Sequence, residues 1–135
     1  MPRPDLHALI QAAARARQHA VAPYSHFRVG AALRTRHGEI ITGANVESAS
    51  YGLTCCAERV ALFKALSEGR HDLTALAVVA RTAGGAMPCG ACRQLLAEYA
   101  PRARVYVADS NHLDRVRTFR VADLLPAAFK PAALG

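Results

Sequence analysis

Four cysteines stand at positions 55, 56, 89 and 92, in two groups far apart in the chain. Cys89 and Cys92 bracket Gly90-Ala91. Residues three apart on a helix share a face, so both sulfurs can reach one ion. Cys56 can bring a third thiolate from a separate segment. A catalytic zinc needs three protein ligands and one open position for water. Three thiolates around Zn²⁺ leave an excess negative charge, which makes the metal a poorer Lewis acid. Arg59, three residues after Cys56, can donate hydrogen bonds to the sulfurs and offset that charge, and Arg93 is a second candidate. Glu58, two residues after Cys56, is a carboxylate that can take a proton from water beside the metal and later deliver it to a substrate. That geometry works only if Cys56 sits at a helix cap.

Other readings of the same residues stay open. Glu58 as the last member of a capping box needs a capping hydroxyl three residues earlier. That position is Cys55, and Thr54 misses it by one. Cys55 could complete a closed, four-thiolate structural zinc, although adjacent residues rarely ligate one ion comfortably. Cys89 and Cys92 could form a thioredoxin-like redox pair, which leaves Cys56 and Glu58 without a task. A disulfide framework does not suit a chain with an ample core of its own.

The elements that must position these groups follow from hydrophobic periodicity. Asp5 is a candidate cap for a first helix, whose apolar face is Leu6, Leu9, Ile10, Ala13 and Ala14, and Pro23 ends it. Residues 28–34 and 39–46 read as two strands joined at His37-Gly38. Residues 45–52 are polar and loop-like. A helix spans about 56–68 and stops at Gly69. The continuous apolar run 75–80 is a strand covered on both faces. Pro88 opens a helix that runs to about Tyr99, before Pro101. Residues 104–108 and 116–121 are further strands, and 122–125 a short helix. Both cysteine groups fall at helix N-termini, which favour negative charge and lower thiol pKa values. The expected fold is α/β, a three-layer α/β/α arrangement with a mixed central sheet of about five strands.

The chain has 135 residues, 52% of them hydrophobic, the size of one domain spanning 1–135. No apolar run is long enough to span a bilayer, and the start shows no secretory pattern, so the expectation is a cytoplasmic protein without a membrane partner. The formal charge of +7 raises a nucleic-acid partner. The arginines are scattered, however, and no run of five basic residues exists, which fits a solvated basic surface better.

Cys56-Ala-Glu58 and Pro88-Cys89-Gly-Ala-Cys92 resemble the zinc signature of the cytidine deaminase superfamily, which occurs with histidine or cysteine as first ligand. Cysteine there resembles the free-nucleoside enzymes of the small homotetrameric kind. The resemblance extends to residues 22–32, 43–47, 56–63, 89–94 and 124–129. It implies one Zn²⁺ per chain on Cys56, Cys89 and Cys92, with Glu58 as the catalytic proton carrier and Arg59 supporting the sulfurs. It implies that Phe27 packs on the pyrimidine, that Asn45 and Glu47 bond the ribose hydroxyls, and that Ala57 lies in the substrate site. Tyr51 and Phe129 would close sites shared between subunits of a homotetramer. Two departures stand out: Cys55 is an extra thiol that could compete for zinc or oxidise, and the tail after Phe129 is short.

The reaction so implied is hydrolytic deamination of free cytidine and deoxycytidine in pyrimidine salvage, with Glu58 serving as base and then acid. The partner is a small nucleoside, not a nucleic acid: a 3′ phosphate would meet the Glu47 carboxylate unfavourably. The remaining alternatives are a nucleic-acid deaminase, a deaminase of a nucleoside-like antibiotic, and a zinc-binding module without catalysis.

Overall fold

The computed structural model describes residues 3–130 and 134. The short tail beyond Lys130 therefore lies almost wholly outside the described residues. The elements run α1 (Arg3–Arg17), β1 (Val29–Thr35), β2 (Ile40–Ala44), a 3-10 turn (Tyr51–Leu53), α2 (Ala57–Ser67), β3 (Leu73–Ala80), α3 (Gly90–Tyr99), β4 (Arg104–Asp109), β5 (His112–Arg120) and α4 (Val121–Leu124). The five strands form one sheet in the order β2-β1-β3-β4-β5. Only β3 and β4 pair in parallel, with α3 as the crossover between them; the other three pairings are antiparallel. This is the mixed five-stranded α/β/α arrangement that the pattern of residues predicts.

β3 shows why its whole sequence is apolar. Leu76 and Val78 point into a core shared with Ala57, Ala61 and Leu62 of α2 and Leu96 of α3. Ala75, Ala77 and Val79 point the other way, into a second core with Leu9, Ile10 and Ala13 of α1. Alternate residues of one strand thus serve two cores, and both faces exclude water. α2 lies very close to the sheet. A Cβ added at Gly43 of β2 would stand 2.5 Å from the Ala61 nitrogen and 2.6 Å from the Ala57 carbonyl oxygen. Only a glycine permits that approach, and it fixes the first turn of α2 against the strand.

The elements depart from the periodicity at their ends. α1 begins at Arg3, so Asp5 lies in its first turn, where a carboxylate favours the helix dipole, and does not cap it. The helix stops at Arg17, well before Pro23. Residues 18–20 tighten into bonds reaching back three residues, and Val21 then pairs with Val46 as an extended bridge. β5 starts at His112, four residues earlier than its apolar residues suggest. It is an edge strand whose exposed side chains hide the alternation.

Candidate active site

Each of the two cysteine groups caps a helix. Cys56 is the N-cap of α2, with φ −67° and ψ 152°. Cys89 is the N-cap of α3, with φ −67° and ψ 168°, and its Sγ accepts the Cys92 amide at 3.5 Å. Both caps are extended residues, so each side chain swings forward of its helix. The cap position that Glu58 requires of Cys56 is therefore present. The loop before α2 is pinned by a two-way backbone pairing of Val46 with Cys55, at 3.0 and 2.9 Å. That pairing delivers Cys56 to the end of α3.

The sulfurs of Cys56, Cys89 and Cys92 lie within 4.8 Å of one another, and the Cys56–Cys89 pair is 3.7 Å apart. Tetrahedral zinc–sulfur bonds of about 2.3 Å set sulfurs about 3.8 Å apart, so the donor set fits one zinc ion. Cys55 stands outside this trio, and its side chain faces the cavity beside it. Four-thiolate closure thus fails among the described residues. The redox-pair reading fails as well, because Cys56 joins Cys89 and Cys92 as an equal member. Burial pushes the Cys55 thiol pKa up. The Cys56 thiol falls to about 5, chiefly through a hydrogen bond from Cys92 and further through Arg59. Cys92 is pushed up as the donor in that pair and by burial. Of that pair, Cys56 is thus the sulfur that ionises first.

Arg59 Nη2 donates to Cys56 Sγ at 3.5 Å and to the Thr54 carbonyl at 3.2 Å. Arg93 does not reach a sulfur. Its Nε donates to the Pro88 carbonyl at 2.8 Å and its Nη1 to the Leu124 carbonyl at 3.1 Å, which ties the Cys89 loop to α4. Spacing alone could not separate these two arginines. Each follows a ligand closely, and only the direction of the helix face distinguishes them.

Glu58 is 6% exposed and lines the same cavity as Cys56 and Cys89. Burial raises its pKa to about 7, and the nearby Cys56 charge adds to the rise. A carboxyl poised near neutrality can both take and give a proton. The cavity has a volume of about 270 Å³, near the lower end of the ~300–1,000 Å³ usual for ligand pockets. Phe27, Asn45 and Glu47 line its loop end; Cys56, Ala57, Glu58 and Cys89 line its helix end.

Asn45 Oδ1 accepts the Val29 amide at 2.8 Å, and its Nδ2 donates to the Phe27 carbonyl at 2.8 Å. It locks the Phe27 segment to the end of β2. Glu47 Oε1 accepts the amides of Tyr24 and Ser25 at 3.0 and 3.1 Å, and Oε2 accepts the Ser25 hydroxyl. These bonds, the Ser25 hydroxyl first, hold the Glu47 pKa below its ordinary value. Ser25, Thr54 and Met87 also line the cavity. Thr54 and Met87 carry no sequence signal of their own, and Ser25 lies in the resembling segment 22–32 without a role assigned to it. Tyr51 is 79% exposed and lines an adjoining hollow with Tyr24, Ser25 and Glu47. Phe129 lies elsewhere, in a groove with Ala97, Pro101 and Leu125, its carbonyl accepting Gln94 Nε2 at 2.9 Å. It does not line the cavity of its own chain.

Fold and site together define a class: mixed-sheet α/β/α proteins with a three-thiolate zinc centre at paired helix N-termini and a buried carboxyl beside it. The family model for the cytidine and deoxycytidylate deaminase zinc-binding region matches residues 4–108. A cytidine deaminase of Halalkalibacterium halodurans is 53% identical over 126 residues, covering 93% of this chain and 94% of its own. One from Sporosarcina psychrophila is 47% identical over 126 residues, with 93% and 91% covered. The crystal structure of cytidine deaminase from Burkholderia pseudomallei superposes with a TM-score of 0.88 at 49% identity, covering 96% of this chain and all of that one. The chain belongs to the cytidine and deoxycytidylate deaminase family.

Proposed function

We propose that this chain hydrolyses the exocyclic amino group of free cytidine and deoxycytidine, giving uridine or deoxyuridine and ammonia. The observation that carries the reading is the buried Glu58, which shares one cavity with the zinc-fitting sulfur trio and with Phe27, Asn45 and Glu47. Cys56, Cys89 and Cys92 would hold the ion. When bound, zinc supplies Lewis acidity and an activated water. Glu58 would take one proton from the attacking water and deliver it to N3 of the base, which makes C4 electrophilic as the water oxygen bonds to it. Glu58 would then carry the remaining hydroxyl proton to the amino group, which leaves as ammonia when the C4–N bond breaks. A pKa near 7 suits both transfers.

Phe27 offers its ring to the flat face of the pyrimidine. Ala57 stands in the first turn of α2, where main-chain amides have no partner within the helix, and it offers that amide to the base. Asn45 keeps one amide hydrogen and one lone pair beyond its backbone bonds, and with Glu47 it binds the sugar hydroxyls. Arg59 offsets the charge of the thiolates. Tyr51 and Phe129, both exposed, close the sites of neighbouring copies in a homotetramer. The single domain acts in pyrimidine salvage in the cytoplasm. No helix among the described residues is long and apolar enough to cross a membrane.

The test is ultraviolet absorbance of cytidine mixed with zinc-replete protein, beside a chelator-treated control. A metal-dependent shift to the uridine spectrum is the expected result. No shift, with one zinc bound per chain, would move the activity to another amino-bearing substrate.

A further inference from the structure

The loop end of the cavity is organised by Ser25, to which the family resemblance assigns no role. Ser25 Oγ donates to Glu47 Oε2 and accepts the Phe27 amide at 3.0 Å. One hydroxyl therefore bonds both the carboxylate to which the sugar is assigned and the backbone amide of the residue to which the base is assigned. The preceding and following residues reinforce the arrangement. The amides of Tyr24 and Ser25 both point at Glu47 Oε1, and His26 takes the left-handed backbone conformation, φ 60°, that turns the chain between Ser25 and Phe27. Such a conformation is uncommon outside glycine and persists where surrounding contacts enforce it.

The hydrogen-bonding capacity left over is limited. A carboxylate oxygen has two lone pairs, and both on Oε1 are taken by amides. Oε2 has one taken by Ser25 and one free. The serine oxygen also has two lone pairs, one of them taken by Phe27. What faces the cavity is a small array of acceptors with no donor in the remaining capacity of these three atoms. It suits a ligand hydroxyl that donates, and it repels an anionic group in the same position.

We infer that Ser25 is a positioning residue for nucleoside binding: its hydroxyl holds Glu47 with one acceptor site free for a sugar hydroxyl and ties that carboxylate to the Phe27 segment. This rests on the functional reading above and adds a residue to it. Ser25 lines both the cavity and the adjoining hollow, so it stands where a sugar would enter. Its contribution is to ground-state binding, because it touches no atom of the base that reacts.

The experiment is steady-state kinetics of the zinc-loaded protein with cytidine and with 2′,3′-dideoxycytidine, which lacks the hydroxyls that Glu47 would accept. Ser25→Ala should raise KM for cytidine about tenfold, the scale of one hydrogen bond to a charged group, while kcat changes less than about threefold. Ser25→Thr keeps the hydroxyl and should restore KM to within about threefold of the parent. Ser25→Cys keeps the shape with a poor donor and should behave as the alanine variant does. With the dideoxy substrate, the parent and Ser25→Ala should agree in KM. An equal rise in KM for both substrates would mean a merely structural role and would overturn the inference. So would an unchanged KM for cytidine in an otherwise active enzyme, and the deaminase reading would then stand. A parent protein inactive on cytidine would overturn both.

Discussion

The helix end of the cavity takes its side chains from the first turns of α2 and α3, and those side chains have little but one another for partners. Cys56 and Cys89 touch sulfur to sulfur, Cys92 is 1% exposed, and Glu58 is buried at a raised pKa. The loop end takes its side chains from segments 24–27 and 45–47. There the side chains of Ser25, Asn45 and Glu47 are already bonded to backbone or to one another. Thiols and a buried carboxyl packed together are chemically unsettled, which suits proton transfer and metal binding. A carboxylate with three donors is settled, which suits recognition. The lesson is a division of labour within one cavity: the helix end governs turnover and the loop end governs affinity.

The sharpest break of that comparison is at Glu58. Glu58→Gln should lower kcat by about 10²–10⁴-fold while the protein keeps one zinc per chain by elemental analysis. Near-normal turnover would remove Glu58 from the chemistry and erase the contrast. The next is Arg59→Gln, which takes the guanidinium from Cys56. Zinc affinity, read by competition with a chelator, should fall about 10–100-fold. Arg93→Gln, which loses only carbonyl partners, should leave zinc affinity within about threefold. At the loop end, Glu47→Gln puts an amide donor where two main-chain amides already donate. KM for cytidine should rise about tenfold with a smaller change in kcat. A larger loss in kcat than in affinity would show that the two ends are not separable.

The smallest effect is on stability. The folded-state pKa of Glu58 stands near 7, above its ordinary 4.5. Metal-free protein therefore draws stability from the protonated carboxyl below about pH 4.5, and loses it as pH rises through about 7. Glu58→Gln cannot lose it. Denaturant unfolding of the two metal-free proteins should agree at pH 4.5 and diverge by pH 8, the variant being more stable by a value on the order of 3 kcal/mol. Equal stability at both pH values would mean that Glu58 is solvated and the helix end less dry than its burial indicates.

The same contrast governs what the sequence made legible. Cys56, Cys89 and Cys92 were readable because helix geometry converts spacing into direction, and their segments carry strong helix signals. β3 was readable because its sequence has a single interpretation when both faces are covered. The loop end was not readable by spacing. The contact of Ser25 with Glu47 spans 22 residues and depends on the bridges that Val46 makes with Val21 and Cys55. Neither residue belongs to a periodic element. Asn45 and Glu47 were named through resemblance, and the Ser25 hydroxyl that joins Glu47 to the Phe27 amide lies in a resembling segment but has no periodicity to mark its contact. Arg93 stayed open as a second candidate for a related reason: its distance in sequence from Cys92 is shorter than that of Arg59 from Cys56, yet it points along α3 to Pro88 and Leu124. The start of β5 was missed because an edge strand needs no apolar alternation.

The close seating of α2 on Gly43 bears on how such a protein can be changed. Any side chain at that position would lift the first turn of α2, and with it Cys56 and Glu58 together. The helix end thus tolerates variation poorly even at residues remote from the ion, because its geometry is carried by backbone packed on backbone. The 24–27 and 51–54 segments carry exposed side chains and no such packing. A mutagenesis library meant to alter which sugar or base is accepted belongs in those loops. One that strays onto Gly43 or the Ala57–Ala61 face would fill with inactive members before it sampled any new specificity.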